Sequence, residues 1–488
     1  MNKFFSFIAA ALIALSANAL EVTSSAGMLS SQISDTTITS LTVKGSMDAR
    51  DFKFIADNLN HLTSIDLSGA TIQAYSSTQA IFGNYHEYAA GIVPALCFFG
   101  KNYSSVTLPA TATAIGEGAL GANSAITSIS FPATLDSIGV GAFDGCALLN
   151  SLLVPATVKV IGSHAFANCP ALTTVTVSSP VIGEKAFANC TTLNDLTLNE
   201  TVEKIGAGAF SGDSLLTTLK FPTQLTSIGE EAFTHAGLAT VDLSGCTKLS
   251  VIGAWAFANS PLKYITLPSE IKSVGNGAFY YDADLLQISL PDNLTKVSDY
   301  LLAGCSSIVS AKVGANTDSI GKYSMSGWTK LLSLYLPSSV TYLGDRALQN
   351  DSAFQAIKCD AETVPALGDS VFAGIDQPNT TLKVPENSVA NYKVAEQWKE
   401  FRIASSPTKL IRTPDDEVKA FFSGTVLNIK SSIEIKDVKM YEPGGVMLES
   451  IQPAATTAQI ETVNYSGHIY IVNVVLLNGN LKTFKLLR

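Results

Sequence analysis

Groups able to carry catalysis are few and scattered. The chain holds five His: His61, His86, His164, His235 and His468. A His-Glu-x-x-His helix would set two imidazoles one turn apart on a zinc ion. His86-Glu87 begins that pattern, but Ala90 stands where the second His is needed. A Gly-x-Ser-x-Gly nucleophile turn is absent. Gly116-Glu117-Gly118-Ala119-Leu120-Gly121 matches a dinucleotide loop in letters only, because no strand-loop-helix context surrounds it. Paired carboxylates such as Glu230-Glu231 have no partner set across a pocket to divide acid and base roles. Only His164 lies near a Cys (Cys169), and there is no Cys-x-x-Cys pair. The reading is non-enzymatic: no catalytic residue, metal ligand or cofactor site is assigned.

Aromatic side chains are the better candidates for function. Trp255, Tyr300 and Tyr323 recur two residues after a turn Gly or its equivalent. A separate polar ladder of Thr174, Thr176, Thr197, Thr218, Thr240, Thr266 and Ser289 is interrupted by Tyr264 and Tyr335. Aromatics on a rigid face anchor a protein partner or stack on a sugar ring. They can equally pack between adjacent turns, and the residues alone leave that choice open.

The elements that would position these residues repeat. Ile115-Gly116, Ile138-Gly139, Ile161-Gly162, Ile182-Gly183 and their equivalents run to Leu343-Gly344, at spacings of 21 to 24 residues, mostly 23. Ala-Phe follows four residues after the first member of the pair, as at Ala142-Phe143 and Ala209-Phe210. Pro often stands six residues before it, as at Pro132 and Pro268. Leu262-Lys263-Tyr264-Ile265-Thr266-Leu267-Pro268 ends in apolar-polar alternation, which is a half-buried strand closed by Pro. Gly then allows the turn, and Ala and Phe point inward. One such unit cannot cover its own apolar side, so the units must stack. The expected fold is a β-rich solenoid of about a dozen 23-residue repeats, with a continuous sheet of outward strands.

Cys146, Cys169, Cys190 and Cys305 share one repeat position, which Asp213, Asp282 and Asp351 take in other units. Stacked thiols in register are expected to be buried and free rather than bridged.

These motifs resemble BspA-type leucine-rich repeat proteins exported by Bacteroidetes. The matching stretches include Phe131-Pro132-Ala133-Thr134-Leu135-Asp136-Ser137-Ile138-Gly139 with Ala142-Phe143-Asp144-Gly145-Cys146. The family's N-terminal cap is similar to Leu41–Gly45, Asp51-Phe52 and Ile65–Ala70, and its closing segment to Val384-Pro385, Tyr392-Lys393 and Trp398–Phe401. The resemblance covers roughly residues 38 to 403 and implies a leucine-rich-repeat solenoid acting in adhesion at the cell surface or after secretion.

The ends fit export. Lys3, the apolar run Phe4 to Leu15 and Ala17-Asn18-Ala19 read as a signal peptide over 1–19, cleaved after Ala19. Residues 20–90 are read as the N-terminal cap and first repeats, and 91–405 as the solenoid with its closing cap. Residues 406–488 are read as a linker and a small antiparallel β-sandwich. That tail is similar to type IX secretion sorting domains through Val438-Lys439-Met440-Tyr441, Gly467–Val472, Lys482, Lys485 and Arg488. Two residues separate Gly467 from Tyr470, where the sorting family usually has one. A plain sandwich covering the end of the solenoid is the other reading. Net charge is −10, which gives no electrostatic reason to bind nucleic acid, and no later segment is long and apolar enough to span a membrane. The expected partner is an extracellular protein or glycan. Adhesion is the leading reading, with a glycan-capture accessory protein or a structural surface component as alternatives.

Overall fold

The alternating segments do form strands, and the repeats stack them in parallel. A computed structural model describes residues 18–406, 418–442, 447–462, 469–477 and 481–487. Ala19 begins the strand Ala19–Ser24, and residues 1–17 of the 1–19 export-signal reading lie outside the described residues. So do Pro414–Glu417, Pro443-Gly444-Gly445, Gly467-His468, Asn478-Gly479-Asn480 and Arg488. The chain divides into two units between residues 406 and 407.

In the first unit, Ser151–Val154, Thr174–Val177 and Asp195–Leu198 pair in register. A narrower ladder runs through the Ile-Gly positions. Nine two-residue strands join there from Ile92–Val93 to Ser273–Val274, and four more from Lys296–Val297 to Ala366–Leu367. The 21-residue step keeps register, with Val160 opposite Val181, and the 24-residue step does too, with Ser227 opposite Val251. Length changes are therefore absorbed in loops. The unit makes about 17 turns. That exceeds the expected dozen because turns at both ends stack without the Ile-Gly signature.

The core of each turn is supplied by the next. Phe143, Phe166, Phe187, Phe210, Phe233, Phe257 and Phe279 form one column, fully buried. Successive rings lie 5.1 to 5.9 Å apart and within 16° of parallel. The Gly after each Ile has a different role from the one its turn position suggests. Gly162, Gly183 and Gly206 are not in the left-handed region. A Cβ on any of them would lie 2.5 to 2.7 Å from the backbone of the preceding turn. Close approach of neighbouring turns, not the bend, demands Gly there.

The continuous outer sheet is a correction. It breaks at 127–131, at 217–221 and again between Ser310–Lys312 and Ser333–Leu336, and Thr218 lies outside any strand. The first two segments alternate as well as their neighbours. Both, however, end in Phe (Phe131 and Phe221), where strand-forming turns carry Val154, Val177, Leu198, Leu267 or Leu336. Phe131 packs edge-on against Phe143 at 5.9 Å, and Phe221 against Phe233 at 5.6 Å. A ring is too large for a slot shaped for Leu or Val. We attribute the lost pairing at these two breaks to that misfit; the third, between strands without Phe, has another cause. Around the second break lies an open groove of about 680 Å³, lined by Asp195, Thr218, Leu219, Phe221 and Asp242 among others.

Both ends of the solenoid are covered. Helix Ala49–Asn58 buries Phe52 and Ile55 and begins with a capping box between Asp48 and Asp51. At the other end Trp398 lies 4.8 Å from Phe372 and donates from Nε1 to the Pro365 carbonyl at 3.0 Å.

The second unit is one antiparallel sheet built on a 16-residue strand, Val426–Tyr441. Its first half pairs with Lys419–Ser423 and Ala455–Glu461, and its second half with Met447–Ile451 and Ile469–Leu476. Leu481–Leu487 follows on the outer side of Ile469–Leu476. The sandwich is thus a single sheet curled on itself, because the register shifts between Lys430 and Ile435 instead of the strand ending there. Leu427, Ile429, Val438, Tyr470 and Val472 fill its core.

Phe210→Ala removes a ring stacked on both sides and is expected to cost about 3–5 kcal/mol in chemical denaturation. Phe221→Leu is expected to restore strand pairing at 217–221. Slower amide hydrogen exchange over those residues would register it, and unchanged exchange would reject the misfit explanation.

Candidate functional site: an aromatic ridge on the turns

After each Ile-Gly the chain makes two left-handed residues, four positions apart. In successive turns the first of these is Glu231 (φ 53°), Trp255 (56°), Gly277 (60°), Tyr300 (58°), Tyr323 (53°) and Arg346 (53°). The second is His235, Asn259, Tyr281, Gly304, Gly327 and Asn350. A non-Gly residue held there costs roughly 1–2 kcal/mol. The stacking enforces it: the Trp255 N–H donates to the Asn276 carbonyl at 2.9 Å, Tyr300 to Lys322 at 2.8 Å and Tyr323 to Asp345 at 2.9 Å.

The column pattern therefore brings Trp255, Tyr300 and Tyr323 together. Tyr300 and Tyr323 stack at 5.2 Å and 13°. Trp255 lies 6.4 Å from Tyr300, with its indole over Gly277, where a Cβ would come within 2.4 Å of the ring. Arg346 closes the far end, its guanidinium 5.6 Å from the Tyr323 ring centre and one nitrogen donating to the Tyr323 hydroxyl at 2.6 Å. Two residues that sequence reading missed complete the surface. Tyr280 meets Trp255 edge-on at 5.0 Å, and Tyr281 lies 4.5 Å from Tyr280 with its ring over Gly304. Gly277 and Gly304 stand one turn after Trp255 and Tyr281, and that aromatic-over-glycine spacing was the available signal. A shallow groove of about 280 Å³ runs between the two left-handed columns, lined by Tyr280, Tyr281, Tyr300, Tyr323 and Asn350 among others.

Tyr264 and Tyr335 are elsewhere, on the strand face. Tyr264 is half-buried opposite Thr240 and Gln287. Tyr335 is 42% exposed. It donates to Asp360 Oδ2 at 3.0 Å, and Lys358 lies 5.0 Å from its ring centre. Burial, then the Asp360 acceptor, push its hydroxyl up to about 12.

The other groups considered for chemistry have structural places. His164 and His235 occupy left-handed turn positions (φ 57° each). Glu87–Tyr88 pairs with Tyr75–Ser76 in a cap hairpin. All seven Cys are buried and unbridged. Gly116–Gly121 is an ordinary turn of the stack. Among the described residues no three His, Cys, Asp or Glu are grouped to hold a metal ion, and no helix is long and apolar enough to cross a membrane.

Stacked short parallel strands, an inward Ile/Phe column and a displayed turn face define a leucine-rich-repeat solenoid. The BspA type leucine rich repeat region model matches six copies over residues 91–181, 178–285 and 250–378. Those matches span more than half the chain, which belongs to the BspA-type leucine-rich repeat family. Among solved structures it is similar to a leucine-rich repeat protein from Bacteroides ovatus, at 22% identity over 69% of this chain and 92% of that one, TM-score 0.49. A leucine rich cell surface protein from Faecalibacterium prausnitzii matches at 20% identity over 69% and 87%, TM-score 0.29. The pneumococcal vaccine antigen PcpA matches at 13% over 76% and 80%, TM-score 0.31. No curated protein matches the chain.

Gly277→Ala sets a Cβ into the Trp255 ring at a left-handed position and is expected to cost about 1–2 kcal/mol. Trp328 and Trp398 are fully buried. Collisional quenching of tryptophan fluorescence therefore reports Trp255, and it is expected to rise in the variant.

Proposed function

We propose that this chain is an exported surface or secreted protein that recognises a host or microbial protein through the ridge Trp255–Tyr280–Tyr281–Tyr300–Tyr323–Arg346. One observation carries the reading: Trp255, Tyr281, Tyr300 and Tyr323 stand at left-handed positions that other turns fill mostly with Gly or polar residues, and with Tyr280 they form a contiguous surface row. Family membership and the export-type N-terminus support the location. The ring geometry favours a protein over a glycan. Tyr300 and Tyr323 turn their faces to one another, and Arg346 covers the next face. Edges and hydroxyls are left for contact, whereas a sugar needs an open ring face. The 407–488 unit serves in this reading as the signal that sorts the protein to its final location.

Binding to a panel of extracellular proteins and glycans tests the ridge. The Tyr300→Ala/Tyr323→Ala double variant is expected to lose about 2 kcal/mol or more of affinity for its protein partner. Tyr335→Ala is expected to leave it unchanged. A glycan ligand, or loss only with Tyr335→Ala, would overturn the assignment. Deleting 407–488 is expected to hold the protein back from the cell exterior, as read by fractionation.

A further inference from the structure

One column, eight residues after each Ile, donates hydrogen bonds between turns through several different side chains, Ala236 being an exception. The acceptor is the carbonyl of the residue five after the Ile in the preceding turn. Cys146 gives its thiol to Leu120 at 3.4 Å, Cys190 to Phe166 at 3.3 Å and Cys305 to Phe279 at 3.1 Å. Ser260 gives its hydroxyl to Phe233 at 3.3 Å, and Trp328 its indole N–H to Leu302 at 3.1 Å. Asn123 does two things at once. Its Nδ2 donates to the Phe98 carbonyl at 2.7 Å, and its Oδ1 accepts from the Tyr103 N–H at 3.3 Å.

Asp213, Asp282 and Asp351 occupy the same column, fully buried. Each has an Oδ1 that, as in Asn123, accepts a backbone N–H of the preceding turn, here that of Cys190 at 2.9 Å, Ser260 at 2.9 Å and Trp328 at 2.7 Å. Each has an Oδ2 that accepts nothing. The carbonyls that the column's donors reach in other turns correspond here to those of Phe187, Phe257 and Met325. The Cys190 N–H is shared between Asp213 Oδ1 and the Phe187 carbonyl at 3.3 Å, which sets that carbonyl beside the Asp213 carboxyl. An ionised carboxylate facing a carbonyl in a dry core would pair two acceptors with no proton between them.

We propose that Asp213, Asp282 and Asp351 are carboxylic acids in the folded chain, donating O–H to the preceding turn and clasping the solenoid in a proton-dependent way at three levels. The titratable groups facing them are the Cys190 thiol on Asp213 and the Cys305 thiol on Asp282, both themselves raised by burial, so neither supplies a compensating charge. Among the described residues no charged side chain acts on Asp351. Burial holds all three carboxyls above the usual range, Asp213 at about 8. In the unfolded chain they ionise near 4, at about 3.9. The stability they contribute is therefore complete below about pH 4 and is lost as pH rises through the folded value. Asp282 follows directly on Tyr280-Tyr281, and Asp351 on Asn350, so two clasps adjoin the groove of the ridge.

Chemical denaturation of the full chain between about pH 5 and pH 8 tests this against the Asp213→Asn/Asp282→Asn/Asp351→Asn variant, since an amide supplies the donor without a proton equilibrium. Relative to the variant, the wild type is expected to lose up to about tenfold in its folding constant per pH unit for each acid. Infrared spectra of the wild type at neutral pH are expected to show protonated carboxyl absorption that the variant lacks. If the triple variant does not fold, Asp213→Asn alone reads one third of the effect, and the wild-type infrared band needs no variant. Absence of that band, or a stability difference that does not change with pH, would overturn the proposal.

Discussion

Every feature of the first unit depends on neighbouring turns covering one another at a fixed, short separation. Phe rings spaced 5.1 to 5.9 Å apart form its axis, and no single turn could bury one of them alone. The same closeness excludes any side chain larger than hydrogen at Gly162, Gly183 and Gly206. It also fixes the backbone hydrogen bonds that hold each turn in shape.

Those bonds explain how the chain can display bulky residues where the backbone disfavours them. Trp255, Tyr300 and Tyr323 sit at left-handed positions because the N–H of each is tied to the following turn. The cost, about 1–2 kcal/mol each, is offset by ring stacking and by aromatic cover over Gly277 and Gly304. Left-handed residues recur along the whole array, so it is the clustering of aromatics at them from Trp255 to Tyr323 that sets this stretch apart.

The limits of regularity are also physical. Phe131 and Phe221 obey the apolar pattern yet interrupt the outer sheet, because pattern specifies polarity and not volume. The long strand Val426–Tyr441 bends at Ser431-Ser432, where Ser431 Oγ accepts the Ile433 N–H at 3.1 Å, yet it shifts register there instead of ending.

The sequence by itself determined the repeat pitch, the inward Ile, Ala and Phe positions, the shared Cys/Asp column, the covered ends and the absence of any recognisable catalytic motif. These are properties of one turn copied many times, so they are visible as periodicity. The tertiary structure alone decided that Tyr280 and Tyr281 join Trp255, Tyr300 and Tyr323 while Tyr264 and Tyr335 lie on another face. It likewise decided why the Ile-Gly glycines are needed and where the sheet breaks. Each of these depends on what the adjacent turn, some 23 residues away, places against a residue, and a linear pattern records the spacing of such neighbours without their shapes.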